Sequence, residues 1–118
     1  MLTTGSFIFF CEREIAREVA EDYANLRLIP YTNGYDQWED RATGGGGCRL
    51  TWVHGVTWIS RHGGYPQADI TAEVSEFLER LGAKPATGNL ADRLRPCSPH
   101  YEGLHKAEHR LRTVLGEW

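Results

Sequence analysis

The sequence predicts an α+β domain of two layers, a small antiparallel sheet of three to four strands with about three helices packed on one of its faces. Three observations carry the prediction. The run Phe7 to Cys11 is apolar on both alternating sides, as a covered strand is. CRLTWVHGVTWISRH sets strand-forming residues on either side of His54-Gly55, a two-residue turn. ADITAEVSEFLERLG repeats Ile70, Val74, Phe77, Leu78 and Leu81 at helical spacing. At 118 residues the chain has the length of one domain, 1 to 118, with enough residues to bury a core.

Taken in order, residues 5 to 11 form the first strand. In EREIAREVAEDYANLRL, Ile15, Val19, Tyr23 and Leu26 recur along one stripe beside Ala16 and Ala20, while Glu14, Arg17, Glu18, Glu21 and Asp22 take the other side. That is an amphipathic helix with an acidic outer face. LRLIPY reads as a short edge strand closing at Pro30, since proline cannot donate to a ladder. Residues 32 to 47, TNGYDQWEDRATGGGG, read as a long polar, glycine-rich loop carrying Tyr35 and Trp38. The hairpin follows, with Val53 facing Val56 and Thr51 facing Trp58.

The second helix spans 69 to 82, with Asp69 as N-cap and Gly82 at its end. A connection with one helical turn near Leu90 to Leu94 leads to Ser98-Pro99, the N-cap and first residue of a last helix reaching Leu115. The expected core is Phe7, Phe9, Ile15, Val19, Trp52, Ile70, Val74, Phe77, Leu78 and Leu111.

Composition narrows the function classes. Apolar residues at 41% and charged residues at 25% exclude disorder and fibrous repeats. The longest apolar run, FIFFC, is too short to span a bilayer and lacks the basic flank of a signal peptide, so no membrane partner and a cytoplasmic location are expected. Cys11, Cys48 and Cys97 lack C-x-x-C spacing, which argues for reduced thiols. Net charge is −3 and uneven: residues 1 to 83 hold seven Lys or Arg against twelve Asp or Glu, and residues 84 to 118 hold six against four. An acidic front attracts basic partners and repels phosphate.

Four motifs need weighing. HKAEH, 105 to 109, spells the H-x-x-E-H pattern of a class of zinc peptidases, but helical phasing turns His105 and His109 away from Leu104, Ala107 and Leu111 and toward solvent. A catalytic zinc needs a third ligand, and Glu117 alone could follow, so no metal or cofactor is expected. RATGGG, Arg41 to Gly46, resembles the R-x-x-G-x-G loop of GNAT acetyltransferases, which implies acetyl-CoA binding between a strand and a helix; here a strand follows instead. Cys97 with His100 offers a thiol and a base but no third orienting group. Lys84, Arg93, Arg95, Lys106, Arg110 and Arg112 could form a basic stripe for nucleic acid, yet Asp92, Glu102 and Glu108 interrupt it.

A binding surface remains. Tyr35 and Trp38 among Asp36, Glu39 and Asp40 combine aromatic anchors with acidic steering charge, and Glu14, Glu18 and Glu21 extend the acidic surface. In physical type the chain resembles bacterial and phage inhibitors, the immunity proteins and anti-CRISPR proteins. That resemblance implies a non-enzymatic inhibitor or adaptor, stoichiometrically masking a basic surface of a protein partner such as a nuclease or nucleic-acid-binding complex. A small target-modifying enzyme of acyltransferase type is the first alternative, and direct nucleic-acid binding through the basic C-terminal part the second.

Overall fold

The computed structural model describes residues 7–30, 34–40, 47–62, 70–99 and 103–116. Six strands form one sheet: β1 (Ile8–Phe10), β2 (Leu26–Leu28), β3 (Asp36–Asp40), β4 (Gly47–Val53), β5 (Val56–His62) and β6 (Lys84–Pro85). They lie in the order β2-β3-β4-β5-β1-β6, with every neighbouring pair antiparallel. The helices are α1 (Arg13–Arg17), which continues as a π-helical segment (Glu18–Tyr23), α2 (Thr71–Arg80), α3 (Gly88–Leu94) with a 3-10 turn (Arg95–Cys97), and α4 (Leu104–Leu115).

The α+β class holds, but the helices cover both faces of the sheet and make three layers. Strand alternation gives the reason. Phe9, Trp38, Cys48, Leu50 and Ile59 point to one face, where they pack with Ala16, Val19, Ala20, Val74 and Leu78 of the first two helices. Ile8, Val53, Val56 and Trp58 point to the other and pack with Ala91, Leu94, Cys97 and Leu111. Central strands apolar on both sides need a cover on both sides.

Three indoles tie the covering segments to the sheet. Trp38 Nε1 donates to Glu21 at 2.8 Å, Trp52 Nε1 to the Cys11 carbonyl at 3.0 Å, and Trp58 Nε1 to the Leu94 carbonyl at 3.0 Å. Each ring, Trp38 and Trp58 buried and Trp52 partly so, therefore keeps its one polar atom satisfied while packing on the core.

The hairpin has the expected register, Val53 opposite Val56 and Thr51 opposite Trp58. His54 (φ 47) and Gly55 (φ 86) both adopt positive φ, the left-handed pair that a tight two-residue hairpin turn requires. α2 buries Val74 and Leu78 as expected, with Ile70, Phe77 and Leu81 packed partly against the same core; Asp69 lies outside the described residues. β2 is an edge strand, as its sequence indicates.

Four expectations need correction. Residues 36 to 40 belong to a strand, because Trp38 and Gln37 are each buried on opposite faces and their backbone pairs with both β2 and β4. β6 adds a two-residue outer strand to β1. Pro99 is helical directly after Ser98, as the sequence predicts, and its carbonyl accepts from the Gly103 amide at 2.9 Å, but Gly103 (φ 88) breaks the run, so the last helix, α4, starts only at Leu104. In the first helix the Ala24 amide bonds the Val19 carbonyl, five residues back, and the widened turn shifts the stripe so that Tyr23 is 49% exposed.

Candidate partner-binding face

The sequence grouped Tyr35, Asp36, Trp38, Glu39 and Asp40 as one exposed docking loop. The strand splits them. Trp38 is completely buried, so its ring is a core residue and no docking anchor. Asp36 shares its face and receives both Nε and Nη2 of Arg13, at 2.8 and 3.1 Å. That hydrogen bond, then the charge of Asp36, holds the Arg13 guanidinium above its ordinary range.

Glu39 points to the opposite face and lies between Arg49 (3.4 Å) and Arg27 (3.3 Å), only 14% exposed. Gln37 beside it is buried and donates to Thr51 at 3.0 Å. Tyr35 is half-buried against the core beneath α3 and α4. Asp40 pairs with Leu26 through the ladder, and its side chain lies outside the described residues. Asp36 and Glu39 are therefore already neutralised by guanidiniums, which leaves little field to steer a partner. Arg41 to Gly46, the glycine-rich motif, also lie outside the described residues.

The acidic surface expected on the first helix does form. Glu14 is exposed and Glu18 and Glu21 are half-exposed, with Arg17 within 3.8 Å of Glu21 and 4.0 Å of Asp22. α2 packs beside this segment on the same face of the sheet and adds exposed Glu73, Glu76 and Glu79. Where the two helical segments meet, Tyr23 stacks on Phe77 with centroids 4.8 Å apart and planes inclined 26°. The Arg80 guanidinium lies 5.6 Å from the Phe77 ring centre. Leu28, on the edge strand, is 41% exposed.

Exposed carboxylates on both helical segments, with exposed Tyr23 where they meet, give this layer both long-range charge and short-range apolar contact. Sequence periodicity alone hid Tyr23, because an α-helical step places it inward; only the five-residue turn brings it out. On the other side of the sheet the charge reverses: Arg93, Arg95, Lys106, Arg110 and Arg112 accompany Asp92 and Glu108 on α3, its 3-10 turn and α4.

Neither Cys11 nor Cys97 is an activated thiol. Burial raises the Cys11 thiol, partly offset by its contact with Thr57 Oγ1 at 3.2 Å. Burial likewise raises Cys97, against the lowering charges of Arg110 and Arg93, opposite to the activation a helix start would give. His100 lies outside the described residues. His105 and His109 are exposed, as helical phasing indicates, while Glu108 meets His54 at 2.6 Å. Among the described residues no three His, Cys, Asp or Glu side chains cluster to hold a metal ion. No described helix is long and apolar enough to cross a membrane.

Comparison with family models, curated proteins and solved structures found no match to this chain. The fold and this surface are the basis for a functional reading.

Proposed function

We propose that the chain is a stoichiometric protein-binding inhibitor or adaptor, which covers a basic surface of its target with the layer formed by the first helix and α2. The observation that supports this is the stack of exposed Tyr23 on half-buried Phe77, between two helical segments that carry the exposed carboxylates Glu14, Glu73, Glu76 and Glu79. Tyrosine is among the residue types that dominate interface energetics when enclosed, and surrounding charge speeds encounter with a basic partner. A nuclease or other nucleic-acid-binding protein offers such a basic surface, in keeping with an immunity-protein-like or anti-CRISPR-like role in the cytoplasm.

The test is copurification of tagged protein with its partner from source cells, then titration of the partner's activity. The reading requires the effect to saturate near one equivalent and to weaken with Tyr23→Ala. A full effect far below one equivalent would instead indicate an enzyme that modifies its target.

A further inference from the structure

Glu108 is the one carboxylate between Leu104 and Leu115, and it turns toward the hairpin, where Oε2 lies 2.6 Å from His54 Nε2. On another side of the helix, His105, Lys106, His109 and Arg110 line an open groove of about 440 Å³. Their spacing sets two rows along the helix, His105 with His109 and Lys106 with Arg110, each pair one turn apart. Arg110 is steadied by donating Nη1 to the Pro96 carbonyl at 3.2 Å.

The same histidine pair, standing alone, would suit a divalent metal. Two permanent cations beside it repel a metal ion and attract an anion, and Glu108, whose charge would favour a cation, is held by His54. Guanidinium, ammonium and imidazole N–H groups are the donors that phosphate oxygens take up. The groove volume falls at the small-ligand end of known binding sites, which span roughly 300–1,000 Å³.

We propose that this groove is a binding site for a phosphate-class oxyanion. It lies across the sheet from the acidic layer and does not rest on the inhibitor reading. The phosphate could be carried by a free polyphosphate or nucleotide, or by a polynucleotide backbone; the recognising chemistry is the same.

Calorimetric titration of the full chain with inorganic pyrophosphate at low salt tests the site. One equivalent should bind saturably, and replacing exposed Lys106 and His109 together by alanine should weaken binding about tenfold or more, with the circular dichroism spectrum unchanged. A short single-stranded oligonucleotide without terminal phosphates is the second ligand: tighter binding than pyrophosphate assigns the site to a polymer backbone, weaker binding to a free ligand, and loss in the same double variant supports the groove in both cases. Absence of saturable uptake of either ligand, or equal uptake by the variant, would overturn the proposal. So would one-to-one zinc binding that the variant abolishes while pyrophosphate gives no response.

Discussion

Trp38 and Glu21, seventeen residues apart, meet through a 2.8 Å hydrogen bond from the indole to the carboxylate, across the boundary between the sheet and its first covering helix. The ring is fully buried and the Glu21 side chain is 36% exposed, so one contact joins the core to the acidic surface. Trp38→Ala should therefore cost about 3–5 kcal/mol, and Trp38→Phe, which keeps most of the volume but loses the donor and part of the ring, less, about 2 kcal/mol. Guanidinium unfolding midpoints give both values. A Trp38→Ala midpoint within error of wild type would show that the ring is not a core residue.

Tyr23 should show the reverse pattern. Half exposed and stacked on Phe77, it should lose only about 1 kcal/mol of stability on change to alanine, while partner affinity falls by about 2 kcal/mol or more through faster dissociation. Phe77→Ala should lower both, because that ring also packs on the core. Surface plasmon resonance beside thermal melts separates the two effects. Normal binding by a folded Tyr23→Ala protein would move the interface off this layer.

Charge reversal at Glu14 and Glu18 should slow association with little change in dissociation. The penalty should shrink as ionic strength rises from about 0.01 to 1 M, over which the screening length falls from roughly 30 to 3 Å. Association rates measured across a salt series decide it, and a salt-independent penalty would mean that these carboxylates contact the partner directly.

The buried thiols give a pH dependence with a definite sign. Cys97 has its native pKa raised above the ordinary 9.0 by burial, so the folded protein keeps a proton that the unfolded chain releases. Its contribution to stability is complete below that value and is lost as pH rises from there through the raised native pKa. Wild type should thus lose more stability than Cys97→Ala between neutral and strongly alkaline pH, read as the difference between their urea midpoints. Parallel curves would show that the thiol is not protected in the native state.

What the sequence disclosed depended on how strongly each segment's pattern departed from chance. The hairpin was readable to its register because Gly55 fixes the turn and the flanking residues are strand formers. α2 was readable because Val74, Phe77 and Leu78 repeat at helical spacing. β3 was not, since Asp36-Gln37-Trp38-Glu39-Asp40 shows a single apolar residue and its burial depends on strands from elsewhere in the chain. The acidic side of the first helix was legible, but its aromatic centre was not, because neither the five-residue hydrogen bond to Ala24 nor the contact with Phe77 leaves a local signature.

The opposite charge of the two helix layers makes the net value of −3 a poor guide to behaviour at a charged boundary. Among the described residues carboxylates outnumber the cations on the first helix and α2, and cations outnumber the carboxylates on α3 and α4, so these side chains contribute an electric dipole directed through the sheet. A charged surface exerts a torque on such a dipole before contact. A cationic bead should turn the Glu14 and Glu73 side toward itself and an anionic bead the Arg93 and Arg112 side, so both kinds of ion-exchange resin should retain the protein at low salt, with opposite layers facing the resin.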